Sequence, residues 1–417
     1  MDVLVRLQSR APLPACLPQV SRQRLVAMTQ WRFFLAVLAF ASQATTATAQ
    51  TVWPVANPED RGLSSSPLDS LDAAIASGLY GNVNRVVIVK DGFLVVSNRY
   101  DRDYQSISAG LQGALGCGFQ ACKAGEENAA YNYYSPNTHP FYQGRDVHTL
   151  QSVTKSVAAT VLGAALANGD IGSLATPLLP FLSDYDTRDV DPRLHSATLE
   201  DLLTMRTGIE WHEQDRPLNE TNTTIQLERS DDWVQFTLDQ PSDAAPGEKW
   251  VYNSGGSHLM SAVVFDATGM TIDAYAEEHV FGPLAISDYH WKETPQGLPD
   301  TEGGLYLEAE QLAKIGYLYL QGGMWHGQRI LDESFVKQAT ARQVDQVNSA
   351  GWGYGYQWWR LDRDTVPVWA GLGFGGQYLL VLPDYDLIGV INSWNIFGQR
   401  VRPVLPAFLD ALLAAHG

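Results

Sequence analysis

Ser152-Val153-Thr154-Lys155 places a hydroxyl and an amine at i and i+3, the separation that puts two side chains on one face of a helix within contact of each other. A serine hydroxyl is a poor nucleophile at neutral pH unless a base takes its proton, and a desolvated lysine with a lowered pKa can be that base. The spacing alone does not choose a site, because Ser334-Phe335-Val336-Lys337 repeats it. Context separates the two. Ser152 opens an otherwise apolar stretch that would keep Lys155 dry, whereas Ser334 stands in Asp332-Glu333-Ser334, which reads as a solvent-facing helix start.

A second candidate lies in Trp250-Val251-Tyr252-Asn253-Ser254-Gly255-Gly256. A phenol beside a lysine ammonium has a depressed pKa and can carry protons as acid or base. The string Tyr-x-Ser also occurs at Tyr104 and Tyr133; the setting of Tyr252, after Pro246-Gly247 and before a helix, counts for more. The third element is Gly371-Leu372-Gly373-Phe374-Gly375-Gly376-Gln377. Its glycines let a strand backbone approach a ligand and offer N–H groups to an oxyanion, although a Gly-rich turn into a hairpin fits the same residues. A strand follows it rather than a helix, so it is not a dinucleotide-binding fingerprint. Glu210 and Glu213 read as solvated loop acids, His258 as a packed or surface histidine, and Trp211, Trp250, Trp291 and Trp394 as packing.

The elements that must position these residues are legible from periodicity. Residues 85–100 alternate around Asp91-Gly92, a hairpin signal, and 377–392 form a second hairpin around Pro383-Asp384-Tyr385-Asp386. Val153, Val157, Val161 and Ala165 repeat at i, i+4 up to Asn168-Gly169, a buried helix with a glycine stop. Helical stretches are expected at 199–205, 230–238, 257–268, 272–280, 309–321 and 404–415; residues 104–147 lack periodicity and read as a surface excursion. Strands near both ends bracket a helical middle. The expected fold is thus α/β of the α+β type, with one antiparallel sheet built from N- and C-terminal strands, flanked by helices, and a mostly helical middle region.

In this order, the three elements resemble the serine β-lactamase and penicillin-binding-protein superfamily, whose signature is S-x-x-K, then Y-x-N or S-x-N, then K-T-G. The resemblance is closest to the class C β-lactamase-like branch, which includes esterases, D-aminopeptidases and 6-aminohexanoate-dimer hydrolases. Leu202 to Trp211, Pro246-Gly247-Glu248 and Gly375-Gly376-Gln377 extend it. It implies that Ser152 is acylated, Lys155 activates it, and Tyr252 passes protons. It also implies an oxyanion hole of the Ser152 and Phe374 backbone N–H groups, with Ser254, Gly371 and Gly373 on the substrate side. Gly371 stands where β-lactamases carry a lysine that grips a carboxylate, which favours amide or ester substrates over penicillins or D-Ala-D-Ala ends. A β-lactamase or D-alanyl-D-alanine carboxypeptidase is the rival reading, and a non-catalytic binding or sensor protein of the same fold is another.

Residues 1–49 differ from the rest. Five arginines and one aspartate precede the apolar run Phe33 to Ala41, and small residues lead to Ala47-Thr48-Ala49. This is the order of a secretory signal too short to span a membrane, with cleavage expected after Ala49 and Met28 as a possible true start. Residues 50–417 then form one hydrolase module, with an α/β part of about 80–165 and 300–417 and a helical part of about 166–299. That module keeps 23 basic and 45 acidic residues, a formal charge of −22, which repels nucleic acid and anionic lipid. No nucleic-acid partner, membrane insertion or cofactor is expected; the partner is a small-molecule amide or ester, and the location periplasmic or secreted. Cys117 and Cys122 in a Gly-rich loop are expected to form one local disulfide, since no further metal ligands stand beside them.

Overall fold

The computed structural model describes residues 53–108, 140, 144–145, 147–396 and 401–417; Cys117, Cys122 and residues 1–49 lie outside the described residues. Twelve strands are present among them: β1 Val83–Lys90, β2 Phe93–Arg99, β3 His148–Thr149, β4 Tyr289–Trp291, β5 Leu305–Leu307, β6 Met324–Trp325, β7 Gln328–Arg329, β8 Gly353–Tyr354, β9 Trp359–Arg360, β10 Trp369–Gly373, β11 Gln377–Leu382 and β12 Leu387–Ser393. Five helices reach twelve residues or more: α1 Ser65–Ala76, α2 Val153–Asn168, α3 Ser254–Thr268, α4 Ala309–Leu320 and α5 Leu405–His416.

The main sheet runs β2-β1-β12-β11-β10-β9-β8, and every neighbouring pair is antiparallel. Both expected hairpins are present, and β12 from the second joins β1 of the first, with Val87 opposite Val390. Alternation along the central strands feeds two cores. Val86 and Ile88 of β1, with Leu380 and Leu382 of β11, pack with α1 and α5. Val87 and Val89, with Leu379 and Val381, face α2 and α4. Because both faces are covered, all seven residues of β12 are buried, which explains its unbroken apolar run where a half-exposed strand would alternate.

α2 begins and ends where periodicity placed it, and Gly169 closes it with φ +82°, the left-handed conformation that glycine adopts without penalty. Between α2 and β4 the chain is α3 together with short helices, among them Leu199–Leu203, Thr223–Glu228 and Trp233–Leu238. A small three-stranded sheet, β3-β5-β4, lies apart from the main one. It matters for chemistry: His148 pairs with Leu307 and Thr149 with Tyr306, so the residues just after β3 and those just before β5 are brought side by side. No helix among the described residues is long and apolar enough to cross a membrane.

Candidate active site

The residue after β3 and Leu150 is Gln151, whose φ of +49° is left-handed. Such a conformation in a non-glycine residue costs about 1–3 kcal/mol and is retained where the surroundings enforce it. Here the enforcement is visible: Leu150 N–H donates to Leu305 O at 2.9 Å, Gln151 Nε2 to Thr149 Oγ1 at 2.9 Å, and Thr154 N–H to Gln151 O at 2.8 Å. The sharp turn sets Ser152 half-exposed at the head of α2 while Val153 to Ala165 behind it are buried.

Lys155, one turn further on and 1% exposed, donates from Nζ to Ser152 Oγ at 3.0 Å. Its other two bonds go to one residue, Glu302, through the backbone carbonyl at 2.6 Å and Oε2 at 3.3 Å. The Tyr252 ring centroid is 5.2 Å from the same nitrogen. Tyr252 is held by stacking on Trp359, 5.6 Å between centroids at 27°. Its approach is fixed by the string at 202–211: Val251 N–H donates to Met205 O at 3.0 Å and Gly247 N–H to Arg206 O at 2.8 Å. Those two stretches, far apart in sequence, are one structural unit.

The ionisation of this group differs from the expectation. Burial by itself would push the Lys155 ammonium down, but Tyr252, Glu302, Glu213 and Asp300 around it outweigh that and hold it above the ordinary lysine value. Tyr252 is also raised: burial disfavours the phenolate more than Lys155 favours it, and Glu213 adds to the rise. At rest, therefore, ammonium and phenol both keep their protons, where the sequence pointed to a lowered lysine and a lowered tyrosine. Desolvation and the neighbouring Tyr252 were anticipated, but the three carboxylates Glu302, Glu213 and Asp300 were not.

Gly373 brings β10 against the serine turn: a Cβ there would lie 2.4 Å from Leu150 O and 3.2 Å from Gln151 Cβ. Phe374 follows it, 45% exposed at the β10–β11 turn. Ser152 N–H has no backbone acceptor among the described residues, as an oxyanion donor requires. Gly371 is buried and faces α2, since a Cβ would meet Val153 Cγ1 at 2.9 Å and Ser156 Oγ at 3.4 Å. A side chain at that position would require Val153 to shift.

Two expectations about polar groups change. Ser254, placed on the substrate side by the resemblance, is fully buried, and its hydroxyl and N–H both donate to Glu213, at 2.9 and 3.0 Å. Glu213 in turn accepts from Trp211 Nε1 at 3.1 Å. It is not a solvated loop acid but the anchor of the α3 N-terminus, where a carboxylate is favoured by the helix dipole. Glu210 instead faces His212 at 3.0 Å. His258 is packed, as expected, fully buried against Trp233 with ring centroids 5.3 Å apart. Ser334 and Lys337 are both exposed on the helix Glu333–Ala339. Glu302 was missed altogether; its only trace in the sequence is a charged residue immediately before Gly303-Gly304 ahead of a strand.

A family model described as Beta-lactamase matches residues 104–407, and the chain belongs to that family. A 6-aminohexanoate-dimer hydrolase of Paenarthrobacter ureafaciens is 25% identical over 271 residues, 60% of this chain and 67% of that one. Among solved structures, a penicillin binding protein from Bacillus halodurans has a TM-score of 0.57 at 16% identity, covering 82% of this chain and 99% of that chain. A hydrolase with promiscuous acyltransferase activity has a TM-score of 0.60 at 12% identity, covering 85% and 98%. These structural likenesses carry the fold.

Proposed function

We propose that the chain is an exported serine hydrolase that cleaves an amide or ester through an acyl-enzyme on Ser152. The observation that carries this reading is the 3.0 Å contact between Lys155 Nζ and Ser152 Oγ in a buried setting completed by Tyr252. Once the Lys155–Tyr252 pair has given one of its resting protons to solvent, Ser152 Oγ attacks the carbonyl carbon as its own proton passes to that pair, and Tyr252 gives a proton to the departing alkoxide or amine. Water then attacks the acyl ester, its proton returning Ser152 to the hydroxyl form. The backbone N–H groups of Ser152 and Phe374 receive the negative charge that develops on the carbonyl oxygen.

Gly371, closed in by Val153 and Ser156, favours substrates without a carboxylate at that position over penicillins and D-Ala-D-Ala ends. The relative that hydrolyses a 6-aminohexanoate dimer supports amide chemistry. Ser152→Ala is expected to abolish hydrolysis of p-nitrophenyl esters and labelling by a fluorophosphonate probe, with Ser334→Ala leaving both unchanged. Labelling that survives Ser152→Ala rejects the assignment, and hydrolysis of a chromogenic cephalosporin as fast as the esters favours a β-lactamase. Export through removal of residues 1–49 is checked by the mature N-terminus, expected at Gln50.

A further inference from the structure

Glu302 is a carboxylate in the wall of the site, 6% exposed, and the acyl-transfer steps above give it no task. Its loop is tightly determined. Asp300 Oδ1 accepts from Glu302 N–H at 2.9 Å and Gly303 N–H at 3.1 Å, and Thr301 Oγ1 donates to Ser257 O at 2.9 Å. A Cβ on Gly304 would sit 2.6 Å from Asp300 Cβ, so the turn accepts only glycine there. β5 then pairs with β3 and delivers the loop to the serine turn.

Three acceptors surround Lys155 Nζ: Ser152 Oγ, Glu302 O and Glu302 Oε2, at 3.0, 2.6 and 3.3 Å. An ammonium has three N–H donors and no acceptor, so the cage matches it bond for bond. A buried charge of either sign is costly alone, and each of these two charges is the other's compensation.

We infer that Glu302 is the third member of a Ser152–Lys155–Glu302 relay, a positioning residue whose carbonyl and carboxylate fix the Lys155 ammonium against Ser152 and supply its counter-charge. The inference rests on the Ser152 acyl-enzyme reading. Glu302 touches no substrate; it acts through Lys155. When Ser152 Oγ bonds to the carbonyl carbon, its proton goes to the Lys155–Tyr252 pair, and the same proton leaves with the alkoxide or amine. The pair can accept it only after shedding one of its resting protons to solvent. The fixed anion of Glu302 makes that loss harder, so activity rises with pH and Glu302 decides where.

Other charges bear on the same groups. Lys155 also faces Tyr252, Glu213 and Asp300, and Tyr252 faces Glu213, Glu302 and Tyr354. Glu302 further neighbours Glu228, which burial pushes well above the carboxylate range, Lys292, which burial pulls down to about 7, and His258, which burial lowers to about 4. Among these, Glu302 is the one with a carboxylate oxygen in hydrogen-bond contact with Lys155.

The test is the pH profile of kcat/KM for a p-nitrophenyl ester in wild type, Glu302→Gln and Glu302→Asp. Glutamine keeps an oxygen for the lysine but removes the charge, so the ascending limb should move to lower pH by about 1 to 3 units. Aspartate keeps the charge, and its limb should stay at the wild-type position with a reduced kcat. A Glu302→Gln limb that does not move, or a Glu302→Asp limb that moves as far, overturns the inference. If Glu302→Gln does not fold, Nζ-observed NMR of the wild type decides: an amine at neutral pH overturns it and an ammonium supports it. Fluorophosphonate labelling of Ser152→Ala separately rejects the acyl-enzyme reading itself.

Discussion

Gly373→Ala tests the idea that β10 and the serine turn are set against each other to within one atom. The added methyl would stand 2.4 Å from Leu150 O, whereas ordinary contact begins near 3.4 Å. The obstacle is backbone on a turn already held by Leu305 and Thr149, so the strand has to retreat by about 1 Å, a displacement that costs on the order of 100-fold in a preorganised site. Phe374 is the next residue, and its N–H would be carried away from the Ser152 N–H. For a p-nitrophenyl ester, kcat should fall about 100-fold with KM little changed, since the loss is of transition-state stabilisation. Fluorophosphonate labelling should slow in parallel, and overpacking should destabilise the fold by about 1–3 kcal/mol. Gly172→Ala is the control: nothing lies within 4 Å of its Cβ, and activity should be unchanged. A Gly373→Ala enzyme within threefold of wild type in kcat would refute the close approach as a catalytic requirement.

Tyr252→Phe should lower kcat by about 100-fold or more without unfolding the protein, because the stack on Trp359 is kept; stopped turnover assays with thermal unfolding check both. Lys155→Met removes the cation that Glu302 Oε2 contacts at 3.3 Å, so it should destabilise by about 3–5 kcal/mol in urea titration, and adding Glu302→Gln should restore part of the loss. His258 is lowered to about 4 by burial, so the unfolded chain binds a proton there near pH 6 when the native one does not. Stability should therefore be intact above about pH 6.5 and fall by up to about 3 kcal/mol towards pH 4 from this residue, a slope that His258→Leu should flatten. Thr198→Ala removes the capping box with Asp201, whose bonds measure 3.2 and 2.9 Å, and should cost about 1 kcal/mol with activity per folded molecule unchanged.

The sheet was legible because its signals are local. Asp91-Gly92 between two alternating runs specifies a hairpin by itself, and the Gly169 stop of α2 depends on nothing distant. In α1 the buried Leu68, Leu71 and Ile75 stand at i, i+3 and i+7, so this helix too carries a local signal, although none was expected there. β8 and β9 are two residues each and are strands only through tertiary pairing, β9 with β10 and β8 with β9. In the site, Ser152 and Lys155 declare themselves through spacing on one helix. Glu302 meets them through the pairing of β3 with β5 across a sequence separation of 147 residues, and the Glu213 bond to Ser254 spans 41. The rise in Lys155 depends, beyond Tyr252, on those unseen acids, whereas the rise in Tyr252 comes first from burial, which outweighs Lys155.

β12 occupies the middle of the main sheet, between β1 and β11. The hairpin of β1 and β2 can form early, but the far edge of β1, with Val87 and Val89, waits for a strand that begins at Leu387. Synthesis of the roughly 300 residues in between takes on the order of 15–60 s at the usual elongation rates. Through that interval β1 has an unpaired apolar edge, the kind of edge to which another chain can add. Because β12 is the neighbour of both β1 and β11, the main sheet cannot be joined into one piece until nearly the whole chain has been made.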